Sequence, residues 1–225
     1  MDRLSNPVQA AALARFFKTD PGQYGEGDVF LGIKVPVQRQ LAGKYKDMPL
    51  NGLGTLLSSP IHEHRLTALL ILDAQYKKSE NLDMKRQIVR FYLSHMGHVN
   101  NWDLVDLSAP NILGEHIIGN PPESSILCHL AKGSLWERRV AIVSTFAMIR
   151  KGQFKNTLKI AEILLKDEED LIHKAVGWML RETGKRDEKI LTAFLDMHSK
   201  RMPRTMLRYA IERLPEKLKK HYMAR

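Results

Sequence analysis

The chain has 225 residues, of which 44% are hydrophobic, and this is enough for one large domain or two small ones with a substantial core. It contains a single cysteine, Cys128, which excludes an internal disulfide framework and is typical of a reducing compartment. No apolar run is long enough to cross a bilayer, and the first residues lack the apolar core of a signal peptide, so we expect a soluble, cytoplasmic protein without membrane association.

The net charge is +10 and the sequence pI is near 9.7, which makes a polyanion the first partner to consider. This charge is unevenly spread. Residues 174–225 hold 14 Lys and Arg against 6 Asp and Glu, so the last quarter of the chain carries +8 of the total. A solvated basic face would explain part of this surplus, but a long acidic ligand explains the asymmetry better.

The first half of the chain is predicted to form helices separated by turns that contain Pro or Gly. The first helix opens at Asn6-Pro7, with Pro at the first helical position, and ends before Thr19. Four more are predicted: one from Pro36, a short one broken up by Gly52 and Gly54, a long one from Ser59-Pro60 to Lys78, and one over 82–93.

The segment Gly22–Asp28 is the most glycine-rich part of the chain and is predicted to be a loop. It lacks the spacing and the Lys-Ser/Thr pair of a phosphate-binding P-loop, so we expect no nucleotide site there. Tyr24 in this loop either lies against a sugar or base or simply anchors the loop, and both interpretations stay open.

The second half continues the helical pattern. Short helices are predicted around 112–118 and up to Ala131, and Ser134 with Glu137 forms the capping-box pattern that starts a helix ending at Arg150. The remaining predicted helices cover 158–165, 171–181 and 190–198, followed by a last full helix that begins at Met202-Pro203 and is closed by Leu214-Pro215.

No segment alternates apolar and polar residues as a half-buried strand would, so the fold class is predicted to be all-α. Helix starts near residues 60, 102, 135, 170 and 203 recur at intervals of roughly 33 to 42 residues, the range of HEAT-like and armadillo-like repeats. Such repeats stack into a superhelix with a long concave surface. We therefore predict one HEAT-like repeat domain over residues 1–225, with a compact helical bundle as the alternative.

Trp102 and Asp106 lie four residues apart, so an indole and a carboxylate share one face of a predicted helix. A carboxylate beside an aromatic ring can stabilise a cation. Asp103 follows Asn100 and Asn101, and for it a role in the first helical turn, complementing the helix dipole, is the favoured interpretation. Asp106 lies one turn further along and is the better candidate for chemistry.

One arginine falls inside an apolar stripe. A helical wheel places Arg139 among the core-facing residues of the helix that ends at Arg150. A cation there must either pair with a nearby acid, which is the commoner use, or open onto a groove.

The helix predicted over 171–181 carries Lys174, Trp178 and Arg181 on one flank. A lone tryptophan is more often part of a core, but one bracketed by two cations suits stacking beside a phosphodiester backbone. Arg204 and Arg208, four apart in the last helix, are further candidates for phosphate contacts.

The histidines do not form a metal-binding pattern. His62 and His64 are two apart, His95 and His98 are three apart, and neither pair has a third ligand at a suitable spacing. We therefore expect no metal and no other cofactor, and interpret these histidines as surface or structural residues.

Several of these motifs occur together along the chain. The combination of Asn100–Asp106, Leu135–Arg139, Lys174–Glu182 and Met202–Glu212 resembles the AlkD-like family of DNA alkylation repair glycosylases. The stretch Phe30–Pro36 is also similar to the family's sequence after its first helix. The resemblance covers most of the chain, and the shared order of several motifs makes chance agreement improbable.

The resemblance implies a right-handed superhelix of HEAT-like repeats that holds double-stranded DNA and removes N3- or N7-alkylated purines. We expect a monomer that associates with the nucleoid when bound to DNA. Carried over by motif, Asp106 would be the catalytic carboxylate, Trp102 and Trp178 the aromatic walls, and Arg139 the cation facing the groove, although the adjacent Arg138 could fill that last role. The other expected DNA contacts are Tyr24, Arg138, Lys174, Arg181, Arg204 and Arg208.

The implied chemistry needs only one acid. Glycoside hydrolysis usually needs two carboxylates, one to protonate the leaving group and one to assist the sugar cation or the water. A purine alkylated at N3 or N7 is already cationic and leaves without a general acid. Asp106 alone could then stabilise the oxocarbenium-like sugar and position water, with the indoles packed against the sugar or the base.

Two other classes of function fit parts of the sequence. A non-catalytic DNA-binding repeat protein would use the same basic surface, with Asp106 merely a helix-terminal carboxylate. A helical protein scaffold would need the surplus of Lys and Arg only for solubility. Steep salt dependence of DNA binding would argue against the scaffold, and release of a methylated base would separate the enzyme from the passive binder.

Overall fold

The computed structural model describes residues 1–224, and the regular structure it shows there is helical apart from one isolated parallel bridge between Val29 and Ile61. The all-α prediction is therefore confirmed. The chain forms two compact units, the first spanning Met1–Ser108 and the second beginning at Ala109. That the whole chain is one repeat domain stays a prediction.

The first unit is built around one long, buried helix. Its α-helices are α1 (Pro7–Phe16), α2 (Val35–Lys44), α3 (Leu50–Leu57), α4 (His62–Lys78), α5 (Leu82–Ser94) and α6 (Trp102–Ser108). Helix α4 packs against α2, α3, α5 and α6. Every residue from Leu66 to Leu72 is buried, so this helix supplies the centre of the core.

Two helix boundaries in this unit differ from the prediction. Helix α3 runs through Gly52 and Gly54 without a break, because Leu53 and Leu57 are fully buried against its neighbours and hold it in place. Helix α4 begins at His62 rather than at Ser59-Pro60. The reason is that Ile61 is extended and pairs with Val29, whose carbonyl accepts a hydrogen bond from the backbone N–H of His62 at 2.8 Å.

The second unit begins with a π-helical turn over Pro110–Gly114. Its α-helices are α7 (Glu115–Gly119), α8 (Ser125–Leu130), α9 (Leu135–Arg150), α10 (Lys155–Ile163), α11 (Asp170–Arg186), α12 (Glu188–His198), α13 (Arg204–Ile211) and α14 (Glu216–Met223). Helix α9 packs against α7, α8, α10 and α11, and α11 also packs against α12 and α13. These two long helices therefore form the core of the unit.

The capping box at the start of α9 is confirmed. The backbone N–H of Ser134 donates to the carboxylate of Glu137 at 2.7 Å, and the backbone N–H of Glu137 donates to the Ser134 hydroxyl at 3.4 Å. Helix α11 continues beyond its predicted end to Arg186. Helix α14 follows Pro215, where the sequence pattern predicted the last full helix to close, and it buries Tyr222.

Helices α11 and α13 approach each other closely at Gly177. A Cβ atom at this position would lie 2.5 Å from both the carbonyl oxygen of Met206 and the Cβ of Tyr209. Only glycine allows this contact. None of the helices in the described part of the chain has the length and apolar character needed to span a bilayer.

Candidate functional site

A cavity of about 570 Å³ opens in the first unit between α1, the segment 30–36, α4 and α6. Trp102 and Asp106, four residues apart on α6, both line it. The i, i+4 spacing therefore does place these two side chains on one surface. Much of the remaining wall is apolar or aromatic and includes Leu13, Phe16, Phe17, Phe30, Ile33 and Leu66.

Trp102 belongs to an aromatic cluster within this wall. Its indole stacks on the ring of Phe17, with centroids 5.3 Å apart and planes inclined by 25°, and meets the edge of Phe16 at 5.9 Å. Phe17 in turn stacks on Phe30 at 5.2 Å. The indole is half-buried, so its orientation is set by packing while part of it stays accessible.

Asp106 is a half-buried carboxylate at the border of the cavity. Its charge acts on the buried hydroxyl of Tyr92. Burial raises the pKa of Tyr92, the hydrogen bond with the Ser108 hydroxyl counteracts this in part, and the negative charge of Asp106 raises the pKa further. The carboxylate thus contributes a negative charge next to largely apolar surroundings.

A buried network of four charged side chains lies next to Trp102. The Nε2 atom of His62 is 2.8 Å from Oδ2 of Asp103, and its Nδ1 atom is 3.0 Å from Oδ2 of Asp28. Arg65 donates to the other oxygen of Asp28 at 2.5 Å. Two carboxylates and two cations are therefore paired within the unit, and we call these four residues the His62 network.

The His62 network gives Asp103 and His62 partners that the sequence did not predict. Asp103 does accept a hydrogen bond from the backbone N–H of Leu104 at 2.8 Å, within the first turn of α6. Its other oxygen binds a histidine 41 positions away, so Asp103 has a tertiary partner in addition to its place in the first turn of α6. His62 is a structural histidine as predicted, but it is deeply buried and bound to two acids.

The pKa of His62 reflects these partners. Burial opposes the charged imidazolium, but the hydrogen bonds and charges of Asp103 and Asp28 outweigh it and raise the pKa of His62 to about 9. Burial likewise opposes ionisation of Asp28, but the hydrogen bond from His62, the charge of Arg65 and the hydrogen bond from Asn101 lower the pKa of Asp28. At neutral pH His62 is therefore protonated and donates through both ring nitrogens.

Glu63 is a second buried acid at the cavity wall. Its carboxylate accepts hydrogen bonds from the backbone N–H groups of Leu31, Gly32 and Ile33, at 2.9, 2.8 and 3.1 Å. It thereby fixes the segment that leads into α2. Neither Glu63 nor the His62 network was predicted from the sequence, because their partners are more than 20 positions away along the chain.

In the second unit, Arg139 is buried at 5% exposure, as its position in the apolar stripe of α9 predicts. Its guanidinium donates to the carbonyl of Leu171 at 2.7 Å. Arg138, the neighbouring candidate, forms an ion pair with Asp167 at 2.6 Å and donates to the carbonyl of Gly133 at 2.9 Å. The charge of Arg138 is therefore balanced within the unit.

The predicted flank of α11 exists, but acids accompany its cations. Trp178 is half-buried and its ring lies 5.6 Å from that of Phe146 on α9. Lys174 pairs with Asp170 at 2.7 Å, and Arg181 forms ion pairs with Glu182 and Glu212. The flank is therefore less positive than the sequence pattern suggests.

The other predicted DNA contacts are more scattered. Arg204 is exposed and donates to the carbonyl of Met223 at 2.9 Å, which ties α13 to the end of α14. Arg208 is exposed on α13. Tyr24 is half-buried in the glycine-rich loop of the first unit, with the amino group of Lys18 5.9 Å from its ring centroid.

Within residues 1–224, no group of three or more His, Cys, Asp or Glu side chains is arranged to hold a metal ion. The sites just described are one cavity with an aromatic wall and a bordering carboxylate, a buried ion network, and, in the second unit, a buried arginine and a half-buried tryptophan.

Comparison with known proteins identifies the relatives of this chain. The family model of the DNA alkylation repair enzymes matches residues 1–214. A solved structure described as a predicted DNA alkylation repair enzyme from Enterococcus faecalis shares the fold with a TM-score of 0.73 and 19% sequence identity, over 94% of this chain and 97% of that one. No curated protein matches the chain. With a family model that spans nearly all of the sequence, the chain belongs to the family of DNA alkylation repair enzymes.

Proposed function

We propose that this member of the DNA alkylation repair family is a DNA glycosylase that hydrolyses the N-glycosidic bond of purines alkylated at N3 or N7 in duplex DNA. The observation that carries the proposal is the position of Asp106 and Trp102, which line one cavity whose wall is largely apolar and aromatic. The sequence motif that resembles the AlkD-like family in this part of the chain includes these two residues. Their roles below are part of the proposal.

The reaction follows from the charge of the substrate. A purine alkylated at N3 or N7 carries a positive charge, so when the bond between C1′ and N9 breaks, the base leaves as a neutral molecule with the bonding electron pair. The sugar becomes an oxocarbenium-like cation. A water molecule then adds to C1′ and loses a proton, which leaves an abasic site. No group has to protonate the leaving base, and one carboxylate is sufficient.

Asp106 is the group that suits this transition state. Its negative charge would stabilise the sugar cation and orient the water. Largely apolar walls strengthen this interaction, because charges are screened less there than in bulk water. The indole of Trp102, held by Phe16 and Phe17, would place its electron-rich face against the cationic sugar or base.

We assign substrate contacts in the second unit to Trp178 and Arg139, following the motifs that carry the family resemblance. Trp178 would pack against the deoxyribose, and Arg139 would hold a neighbouring phosphate. Arg138, which pairs with Asp167, is the alternative residue for this second role. The basic residues Lys174, Arg181, Arg204 and Arg208, with Tyr24, would add contacts along the DNA backbone.

The test is release of base from methylated duplex DNA. The wild-type protein is expected to free 7-methylguanine and leave abasic sites, and Asp106→Asn to lower the single-turnover rate by at least about 100-fold, as loss of a main electrostatic stabiliser does. Binding to the same duplex should be retained. Asp83→Asn, which neutralises an exposed carboxylate on α5, is the matched control and should leave the rate unchanged.

Two results would contradict the proposal. If Asp106→Asn releases base at the wild-type rate, the single-carboxylate mechanism is wrong. If the wild-type protein binds methylated DNA but frees no base, the chain is a passive DNA-binding protein. Replacing Trp102 by Ala and by Phe refines the test, because an aromatic requirement predicts that Phe keeps much more activity than Ala.

A further inference from the structure

We propose that His62 is a positioning residue for the reaction, which clamps the two residues on either side of Trp102 and thereby fixes the helix that carries Trp102 and Asp106. This inference rests on the proposed function, but it concerns a residue that makes no contact with substrate in the proposed mechanism. It is carried by the hydrogen bonds of the His62 network and by the ring contacts of His62.

The clamp acts on both neighbours of Trp102. On one side, His62 binds the carboxylate of Asp103 directly at 2.8 Å. On the other side, the amide of Asn101 donates to Oδ2 of Asp28 at 3.1 Å, the same oxygen that His62 binds at 3.0 Å. The backbone at Trp102 is therefore held between two side chains, of which Asp103 binds His62 directly and Asn101 is connected to it through Asp28.

Ring contacts connect His62 to the indole as well. The imidazole stacks on Phe30 with centroids 4.7 Å apart and lies 4.9 Å from the ring of Phe17. Phe17 is the ring on which Trp102 stacks. If His62 moved, we would therefore expect the indole of Trp102 to move as well, because its backbone and the Phe17 ring on which it stacks would both be displaced.

Helix α6 needs such a clamp because it is short. It has seven residues, and a helix of this length is not stable in isolation, so its position depends on tertiary contacts. Asp106 lies three residues after Asp103 on this helix. Loss of the bond to Asp103 would therefore displace the carboxylate proposed for catalysis together with the indole.

The clamp depends on protonation of His62. Its charged partners are Asp28 from the glycine-rich loop and Asp103 from α6. Arg65 of α4 binds Asp28, and Glu63 of α4, Lys34 and Asp106 line the same cavity as His62. Glu63 is occupied by three backbone N–H groups and Arg65 by Asp28. When His62 loses a proton, one of its two acids loses its donor in a buried place, and the pKa of His62, about 9, sets where this occurs.

The first test does not require enzymatic activity. The chain has three tryptophans, so Trp136→Phe with Trp178→Phe leaves Trp102 as the single indole. Its fluorescence emission should change in one step with a midpoint near pH 9 while the helical circular dichroism is constant. His62→Gln in this background should abolish the step. His64→Gln, a neighbouring half-buried histidine outside the network, should leave it in place.

A second variant provides the same test if the His62→Gln protein does not fold. Asp103→Asn retains the histidine but removes one of its two acids, so the midpoint of the fluorescence step should move toward lower pH. An emission that is constant between pH 8 and 10 in the single-tryptophan protein, or a midpoint that Asp103→Asn does not move, would overturn the proposal.

The second test measures the reaction. The wild-type rate of 7-methylguanine release in single turnover is expected to fall above pH 9. His62→Gln should lower that rate about tenfold, leave the Kd for methylated duplex within about twofold, and remove the fall above pH 9. An unchanged rate and pH profile would overturn the positioning role. If the wild-type protein frees no base, the proposed function fails, and the fluorescence titration still decides whether His62 positions α6.

Discussion

The imidazole of His62 binds the carboxylate of Asp103 at 2.8 Å, across 41 positions of the chain, and Asp103 is the residue that follows Trp102. The long core helix α4 is thus joined to the short helix α6 by a charged hydrogen bond in a buried place. Hydrogen bonds of this kind are stronger than neutral ones, and a partner left alone there carries a large cost.

The stability of the protein should fall on the alkaline side because of His62. Its pKa is raised from 6.5 to about 9 by folding, so its contribution is fully present below pH 6.5 and is lost as the pH rises through 9. The difference corresponds to roughly 3 kcal/mol. Urea unfolding at pH 6 and pH 9.5 should show this loss, and the loss should be clearly smaller in His62→Gln.

The stability of the protein should also fall on the acidic side, and Asp28 is the cause. Its pKa is lowered by folding, so the stability it contributes is present above its unfolded pKa of 3.8 and is lost as the pH falls through the folded value. Maximum stability is therefore expected between about pH 4 and 6.5. A maximum near pH 9 would show that the His62 network is not formed in solution.

Glu63→Gln should destabilise the first unit. An amide offers one carbonyl oxygen where the carboxylate offers two. If that oxygen takes the place of Oε1 and accepts from Gly32 and Ile33, the NH2 group faces the backbone N–H of Leu31. We expect a loss of roughly 2 to 4 kcal/mol in the free energy of unfolding. Glu80→Gln, at an exposed position, is the control, and thermal and urea unfolding should show little change for it.

Gly177→Ala and Gly43→Ala should have opposite effects although both glycines are helical. A methyl group at Gly177 would lie 2.5 Å from atoms of Met206 and Tyr209, whereas at Gly43 it would meet nothing within 4 Å. We expect Gly177→Ala to destabilise the protein by about 1–3 kcal/mol through overpacking. Gly43→Ala should stabilise it by about 0.5–1 kcal/mol, and equal melting temperatures would show that α11 and α13 are less close than described.

Arg208→Ala tests the proposed contact with DNA phosphates. If Arg208 contacts one phosphate, its removal should weaken binding to any duplex sequence and lower the slope of log K against log salt by about 1. The control is Lys78→Ala, an exposed cation of the first unit that we do not assign to DNA binding. The contact is excluded if both variants have the wild-type slope.

Local features were predicted well from the sequence because the residues that define them are close in the chain. The four-residue spacing of Trp102 and Asp106 placed both on one cavity, and the Ser134 capping box gave the start of α9 correctly. The placement of Arg139 in an apolar stripe predicted its burial. In each case the whole signal lay within one helix.

The partners of charged residues could not be predicted in the same way. Asp28 meets Asn101 across 73 positions, and Arg138 meets Asp167 across 29, so no periodicity connects them. For this reason Asp103 was interpreted as an acid of a helix terminus. Asp170 and Lys174 pair at i, i+4 spacing, a signal that the sequence contains, although we predicted Lys174 only as a DNA contact.

The glycine-rich loop ends in Asp28, and this has a consequence for how the family can diverge. Three residues from distant parts of the chain, Asn101, His62 and Arg65, donate to that one carboxylate. A lineage that loses Asp28 leaves the interior guanidinium of Arg65 without this ion-pair partner and leaves His62 with Asp103 as its one acidic partner in the network, a state that is strongly disfavoured. Relatives should therefore retain these side chains together or replace them together with apolar ones, so that covariation rather than strict invariance marks the network.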